Sequence, residues 1–300
     1  MPDSGQWVVV GLDNGGTTNN ATVLDSAGRF LVDQLAECPS CVRDGPERAI
    51  EAMAASMSAG RWRPASASPC CTTMTRNNND ANAAALYAHY AHFGPELAPQ
   101  RSSVSVIVGT GLGGGVIEQG QVIRWAAGMA GELGHVWIPM QGLLGEGQPL
   151  PECNCGLAGD AESIASLTGI EQNLLPYWLT RYPDHELSRA GPAAVAAKLV
   201  RGHGAAGDPL ALAIFEQQAM AVGRLFTIAA NFTDPDIYFL GGGVVEAAPQ
   251  FRAWFLNRVR EHTLLRKEQA GAASVALVPD RDMAGAKGSA TAARAALQRA

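Results

Sequence analysis

Short apolar runs that end in turns alternate along the chain with longer segments of helical pattern. The short runs predict strands at 7–12, 21–24, 30–35, 104–108, 236–240 and 274–279. Segments rich in helix-forming residues predict helices at 46–58, 81–92, 160–168, 192–201, 208–231, 248–263 and from 284 onwards. Because strands and helices alternate throughout, the sequence predicts an α/β fold.

Glycine-rich turns follow three of the predicted strands, at 13–18, 109–115 and 241–243. Glycine lets a backbone approach a ligand closely, and the exposed N–H groups of such a turn can hold phosphate oxygens. Three turns of this kind favour a nucleotide site over the alternative of three ordinary turns. In the first turn, Asp13 suits the hydration shell of Mg²⁺, although an aspartate that stabilises a turn through its own backbone would look the same.

Two other phosphate motifs are present only in part. Gly109, Gly111 and Gly114 fit G-x-G-x-x-G, but that dinucleotide motif should open a helix. The apolar pairs at 116–117 and 122–123, which flank a Gln-Gly turn, instead predict a hairpin. Residues 285–289 resemble a P-loop fragment but lack its Gly-Lys-Ser/Thr order.

Composition narrows the function classes. Hydrophobic residues make up 47% of the 300 residues and charged residues 17%, so the chain can bury a full core. The net charge of −6 makes nucleic acid a poor partner. No apolar run is long enough to span a bilayer, and the first six residues lack signal-peptide features. We therefore expect a cytoplasmic protein without nucleic-acid or membrane partners.

Five motifs, taken together and in order, resemble those of the ROK family of sugar kinases, which belong to the actin-like superfamily. They are the first phosphate turn at 13–17, the Asn-Asp-Ala-Asn run from 79, the second phosphate turn at 109–115, the Gly-Glu-Leu-Gly-His and Cys-Asn-Cys-Gly signatures at 131–135 and 153–156, and an adenosine segment from 234 into 241–243. The resemblance covers most of the chain. It implies a glucokinase-like ATP:hexose phosphotransferase with the actin-like, hexokinase-type fold.

The family fold has two domains with the sugar in the cleft between them. By this pattern, residues 1–102 form a small sugar and phosphate domain, which the C-terminal helix 284–300 joins. Residues 103–283 form a large domain that carries the second phosphate loop, the zinc-loop motif and the adenosine segment. The family also implies a homodimer.

The resemblance assigns Asp80 as the general base that accepts the proton of the sugar hydroxyl. Taken alone, Asp80 would be interpreted as a helix N-cap. Glu132 and His135, which are three residues apart, would be interpreted as a solvated surface pair. The implied sugar ligands are Asn79, Asp80, Glu132, His135 and Glu162. The implied ATP and phosphate contacts are Asp13, Gly15, Gly16, Thr17, Gly109, Thr110, Gly111, Gly113, Gly241, Gly242 and Gly243. ATP and Mg²⁺ are the expected co-substrate and cofactor.

The family's structural zinc site has a counterpart in His135, Cys153, Cys155 and Asp160. Thiolate and imidazole ligands suit tetrahedral Zn²⁺. The family usually has a third cysteine where this chain has Asp160, which is a harder ligand. The alternative is a reduced Cys-x-Cys loop in which Asp160 caps the next helix. The Cys38-x-x-Cys41 pair has no partner pair and is interpreted as incidental.

The segment 60–76 departs from the family. It is a few dozen residues shorter than the family pattern and resembles translated out-of-frame coding sequence. We interpret it as a deletion or a gene-model error that rejoins the family pattern at Asn77, and sequencing the transcript across codons 55–80 tests this. Loss of a small-domain strand would leave the base on a poorly anchored segment.

The implied reaction converts ATP and a hexose into ADP and hexose 6-phosphate. Glucose is the first expectation, and N-acetylmannosamine or another N-acetylhexosamine is the next. Sugar-responsive repressors of the family carry an N-terminal winged helix, for which a first turn at Asp13 leaves no room. A catalytically impaired remnant that binds sugar or nucleotide is the third alternative.

Overall fold

The computed structural model describes residues 7–14, 18–32, 38–41, 44–59, 80–123, 129–280 and 283–297. The chain divides into two compact units, one of residues 1–98 with 279–300 and one of residues 99–278. The sequence analysis placed the corresponding boundaries after residues 102 and 283. The functions that it assigned to the two units stay predictions.

The first unit begins with a three-stranded antiparallel sheet in the order β1-β2-β3, formed by Val8–Asn14, Thr18–Asp25 and Cys38–Pro39. The predicted third strand at 30–35 differs from the structure. Phe30 makes a single bridge to Leu24, and residues 33–37 lie outside the described part of the chain. A turn after β2 brings Phe30 back to the sheet, where Asp25 accepts the Arg29 amide at 2.8 Å.

In the described part of the first unit, three α-helices accompany this sheet: α1 (Pro46–Ala59), α2 (Asp80–Leu97) and α10 (Ala284–Leu297). Helix α2 is kinked at Gly94, directly before Pro95, as expected for a residue that a proline excludes from helical geometry. Helix α10 packs on α2 and β1. Its Ala290 forms the small core of this unit with Val9 and Leu24.

The second unit contains a five-stranded sheet in the order β6-β5-β4-β7-β8. Its strands are β4 (Ser103–Val108), β5 (Leu112–Glu118), β6 (Gln121–Val122), β7 (Ile237–Gly241) and β8 (Ser274–Leu277). Strands β4, β7 and β8 run parallel, whereas β5 and β6 run antiparallel to their neighbours. The glycine turn at 109–111 therefore opens a strand, which confirms the predicted hairpin and excludes the dinucleotide motif.

The helices of the second unit surround an extensive apolar core. They are α3 (Glu162–Ala165), α4 (Leu167–Gly169), a π-helical segment (Ile170–Leu174), α5 (Leu175–Arg181), α6 (Ala193–Ala205), α7 (Pro209–Thr233), α8 (Pro249–His262) and α9 (Lys267–Ala270). The long helix α7 is the most buried and packs against α3, α6 and α8. In the part of the chain that the structure describes, no helix has the length and apolar character needed to cross a membrane.

Candidate active site

Two carboxylates lie close together in the first unit. Asp13 is near the end of β1, and Asp80 is the first residue of α2. Burial raises the pKa of Asp13, and the charge of Asp80 raises it further. The α10 backbone also approaches Asp13 closely, because a Cβ at Gly285 would lie 2.3 Å from Asp13 Oδ2. This part of the first unit therefore concentrates negative charge, which a bound cation would stabilise.

Asp80 is exposed and starts its helix, and its Oδ1 accepts the Ala81 amide at 2.7 Å. The helix-start role that the sequence allowed is therefore present, and it leaves the side chain accessible. The other predicted contacts of this unit, Gly15, Gly16, Thr17 and Asn79, lie outside the described residues.

The second predicted phosphate loop, Gly109–Gly111, joins β4 to β5 in the second unit. The Gly109 amide donates to Gly111 O at 2.9 Å, so the turn is tight. Helix α4 holds the loop from outside, since the Leu167 and Thr168 amides donate to Gly109 O and Thr110 O. Gly113, another predicted phosphate contact, lies within β5 and pairs with Ile107. The loop itself therefore consists of residues 109–111.

This loop forms part of the lining of a cavity of about 340 Å³. Apolar side chains line much of the cavity, namely Val108, Leu167, Ile170, Phe215 and Val244, and Lys198, Arg201 and Gln218 supply its polar side chains. Gly243 of the predicted adenosine segment also lines it, and Arg201 donates to Gly243 O. The size and composition of the cavity fit a small-molecule site.

The Gly-Glu-Leu-Gly-His motif forms one 3₁₀ turn, Leu133–His135, in the second unit. A Cβ at Gly134 would lie 2.3 Å from Leu112 O, so only glycine allows the turn to pack this closely on β5. Glu132 directly precedes this turn and has ψ 68°, outside the helical region, so the sugar-ligand roles of Glu132 and His135 stay predictions.

Glu162 starts α3 and connects two predicted sites. Its Oε2 accepts the Leu112 amide at 2.7 Å, directly after the phosphate loop. Its Oε1 is 3.6 Å from Cys153 Sγ in the cysteine loop. These contacts place Glu162 between the phosphate loop and the predicted metal cluster, while its role as a sugar ligand stays a prediction.

The four predicted metal ligands converge. One donor atom from each of His135, Cys153, Cys155 and Asp160 lies within 4.8 Å of the others. The separations are 3.2 Å for His135 Nδ1 to Asp160 Oδ2, 3.9 Å for Cys153 Sγ to His135 Nδ1 and 3.5 Å for Cys155 Sγ to Asp160 Oδ2. A tetrahedral ion with sulfur, nitrogen and oxygen ligands needs donors about 3.3–3.8 Å apart, so the set fits such an ion.

Asp160 caps the helix that follows it and also faces the predicted metal ligands. Its Oδ1 accepts the Ser163 amide at 2.8 Å and so caps the first turn of α3, whereas its Oδ2 faces His135 and Cys155. Burial raises the pKa of the Cys153 thiol, and Asp160 adds to that effect. A bound cation would reverse this shift, because metal binding favours the thiolate.

The ROK family model matches residues 70–296. The chain belongs to the ROK family. It is 31% identical over 196 residues to a glucokinase of Halalkalibacterium halodurans, a match that covers 61% of this chain and 56% of the relative. It is 34% identical over 172 residues to an N-acetyl-D-glucosamine kinase of Vibrio vulnificus, covering 55% and 50%. The chain thus spans about half the length of these curated relatives.

Solved ROK structures match over nearly the whole chain. A ROK hexokinase from Thermus thermophilus has a TM-score of 0.68 and 26% identity, and covers 98% of this chain and 100% of its own. A ROK glucokinase from Streptomyces griseus, in complex with glucose and AMPPNP, has a TM-score of 0.69 and 25% identity, and covers 96% and 100%. The chain therefore has the actin-like α/β fold of ROK hexokinases, as the sequence predicted.

Sequence reasoning missed several residues of the cavity. Lys198 and Arg201 lie on α6, and Phe215 and Gln218 lie on α7, far along the chain from the glycine turns. None of them belongs to a motif. The spacing of Phe215 and Gln218 at i, i+3 was the available signal, because it puts both on one face of a helix.

Proposed function

We propose that this chain is an ATP-dependent sugar kinase that transfers the γ-phosphoryl group to the 6-hydroxyl of a free hexose. The observation that carries the proposal is the cavity of about 340 Å³ with Gly109 and Thr110 of the glycine loop in its lining. An apolar chamber beside a glycine loop suits a nucleotide, whose base is flat and whose phosphates can approach a glycine backbone closely. ROK relatives of this chain include a glucokinase, and a similar ROK glucokinase was solved with glucose and the ATP analogue AMPPNP.

We assign Asp80 as the general base. Proton removal from a hydroxyl in the transition state needs an accessible carboxylate, and Asp80 is exposed at the start of α2. Asn79 precedes it and is proposed as a sugar ligand with Glu132, His135 and Glu162. Asp13 is proposed to help hold Mg²⁺, which would neutralise charge on the nucleotide phosphates when bound.

We further propose that His135, Cys153, Cys155 and Asp160 hold a structural Zn²⁺. The donor types and their 3.2–3.9 Å separations support this assignment. Zn²⁺ would join the cysteine loop to the turn that carries His135. Ligation through Nδ1 would leave His135 Nε2–H to donate to a substrate hydroxyl, and it would fix the ring orientation.

Glucose is our first substrate, and an N-acetylated hexose is the alternative. The alternative is favoured by relatives named N-acetylmannosamine kinase and N-acetyl-D-glucosamine kinase, which are 32% and 34% identical to this chain. Relatives named glucokinase are 31% and 32% identical. These values are too similar to select one sugar.

The test is ADP release by the purified chain with Mg-ATP and a panel of glucose, mannose, fructose and their N-acetylated amines. We expect one sugar to stimulate release, and Asp80→Asn to lower kcat by about 10²–10⁴-fold because the base is lost. Asp184→Asn is the matched control, since Asp184 is an exposed aspartate of the second unit. It should leave the rate unchanged.

Two results would contradict the proposal. Equal rates for the unchanged chain and Asp80→Asn would remove Asp80 as the base. Folded protein that binds nucleotide but releases no ADP with any sugar would identify the chain as an impaired remnant, the outcome expected if the shortened segment 60–76 misplaces the base.

A further inference from the structure

Two adjacent buried glutamines of α7 differ in the hydrogen-bond partners of their side-chain amides. Gln217 is 4% exposed and Gln218 is 1% exposed. Successive residues of a helix point about 100° apart, so the two amides meet different surroundings. Their hydrogen bonds show what each surrounding supplies.

The Gln217 amide has partners at both ends. Its Oε1 accepts from Trp178 Nε1 at 2.7 Å, and its Nε2 donates to Leu143 O at 2.9 Å and to Gln148 Oε1 at 2.6 Å. These partners account for the acceptor and both donors. Gln217 is therefore a structural residue that joins α7 to the loop before α3.

The Gln218 amide has partners at one end only. Its Nε2 donates to Ala165 O at 2.7 Å, with Ile164 O and Ser166 O at 3.5 and 3.4 Å. Three carbonyl oxygens around one end of the amide require that end to be the nitrogen. Among the described residues, the oxygen Oε1 has no hydrogen-bond partner. A buried acceptor without a partner costs free energy, which a ligand with a donor would recover.

Gln218 also lines the cavity that we propose as the nucleotide site. Its neighbours there include Phe215, Leu167 and Ile170, which present apolar surface suited to the faces of an aromatic base. Adenine has a flat apolar body and carries an amino N–H donor at position 6 of its six-membered ring. A 6-oxopurine carries an oxygen at position 6 and has its N–H donor at N1 instead, so its position 6 would oppose Oε1.

We infer that Gln218 Oε1 accepts a hydrogen bond from the 6-amino group of adenine and thereby selects adenine over 6-oxopurine nucleotides. This inference rests on the proposed function, because it takes the cavity to be the nucleotide site. It goes beyond that function by assigning base selection to a residue outside every glycine turn. Binding of the base, which needs no catalysis, is the property to measure.

The experiment is calorimetric titration of the full chain with three diphosphates that differ only at purine position 6: ADP (amino), purine riboside diphosphate (hydrogen) and IDP (oxo). We expect ADP to bind most tightly, the 6-hydrogen analogue about 10-fold more weakly and IDP roughly 10- to 100-fold more weakly than ADP. This series uses the unchanged protein, so it does not depend on any variant folding. Equal affinities for the three ligands would overturn the inference.

Gln218→Met removes the acceptor at nearly constant volume and should bring the three affinities within about 3-fold of one another. Gln217→Met is the matched control, because it removes an adjacent buried amide that does not line the cavity. It should keep the ADP preference of the unchanged chain. If Gln218→Met keeps that preference, Gln218 is not the selecting residue.

Sugar-dependent ADP release, assayed on the same preparation, distinguishes a failure of the proposed kinase function from a failure of the proposed base selection. Kinase activity with equal binding of ADP and IDP leaves the proposed function standing and overturns the base selection. Binding of ADP with selectivity but no turnover supports Gln218 and contradicts the kinase assignment. Absence of binding by any nucleotide contradicts both.

Discussion

Among the described residues of the second unit, two clusters bring metal-ligand side chains together, and they differ in the hydrogen bonds that their side chains already make. The cluster His135, Cys153, Cys155 and Asp160 and the cluster His185, His203 and Asp208 each place donor atoms within 4.8 Å of one another. The distances between donor atoms therefore do not distinguish the two clusters. The hydrogen bonds that each side chain already makes distinguish them.

In the second cluster, both ring nitrogens of His185 already make hydrogen bonds. Its Nδ1 accepts the Leu187 amide at 3.2 Å, so the proton is on Nε2, which donates to Asp208 Oδ2 at 2.9 Å. A neutral imidazole in this tautomer has no free lone pair for a metal. His203 is likewise 3.4 Å from Glu186 through Nε2.

In the first cluster, the donor atoms face one another, and the Ser163 amide donates to the second oxygen of Asp160 and leaves Oδ2 facing His135. The difference indicates that proton positions, and not proximity, distinguish a metal site from a helix cap. It also gives four ways to test the two clusters against each other.

The largest effect is expected from Cys153→Ser. Loss of a thiolate should reduce zinc from about one ion per chain to near zero and lower the unfolding free energy of the second unit by several kcal/mol. Metal content by mass spectrometry and thermal unfolding with and without chelator measure this. His185→Gln, the control from the second cluster, should keep its zinc. Equal metal content in the two variants would contradict the assignment.

The next effect concerns the unusual ligand, Asp160. Asp160→Asn keeps an oxygen that can cap α3 but removes the charge, so zinc affinity should fall by about 10- to 100-fold, or about 1.4–2.7 kcal/mol. Asp160→Cys restores the family ligand and should bind zinc more tightly, although loss of the cap costs about 1 kcal/mol of stability. Competition with a coloured chelator ranks the three chains. Equal zinc affinities of the unchanged chain and Asp160→Asn would show that Asp160 only caps the helix.

A smaller effect is expected from Asp208→Ala. Asp208 Oδ1 accepts the Ala211 amide at 2.9 Å at the start of α7, so the change should cost about 1 kcal/mol of stability and leave zinc content unaltered. Asp208→Asn keeps the helix cap and so isolates the contribution of the contact with His185 to stability. Urea unfolding measures the stability of both variants. Loss of metal in either variant would contradict the structural role of this cluster.

The smallest effect is the pH dependence of the same pair. Burial alone would raise the pKa of Asp208, but the Ala211 amide and His185 hold that pKa below its ordinary value. The stabilisation is therefore complete above the unfolded pKa of about 3.9 and is lost as pH falls through the lower folded value. As the pH is lowered from 5 to 3, the stability difference between the unchanged chain and Asp208→Ala should shrink. A stability difference that grows as the pH falls would contradict this prediction.

The motifs predicted the parts of the site that lie on strand ends and loops. The spacing of Cys153 and Cys155 and the histidine of the Gly-Glu-Leu-Gly-His run gave a ligand set that the structure brings together. The hairpin after Gly109 was predictable because apolar pairs flank a turn. These features depend on local sequence, which is why they could be inferred without a fold.

The polar residues of the cavity could not be predicted in the same way. Gln217 and Gln218 are identical neighbours, and only packing determines which of them reaches Trp178 and which lines the cavity. Likewise, two separate roles were open for Asp160, a metal ligand and a helix cap, and the geometry allows both at once through its two oxygens. The interpretation of 60–76 lies outside the described residues and stays a hypothesis.

Glu162 connects the proposed metal site to the proposed nucleotide site. This carboxylate touches Cys153 on one side and the Leu112 amide, beside the predicted phosphate loop, on the other. Any free energy by which an ion in the cysteine loop improves nucleotide binding must return as an equal gain in ion affinity when nucleotide is bound. At equilibrium, a chain filled with nucleotide would then hold zinc more tightly against a chelator than an empty one, so that substrate supply itself would protect the metal.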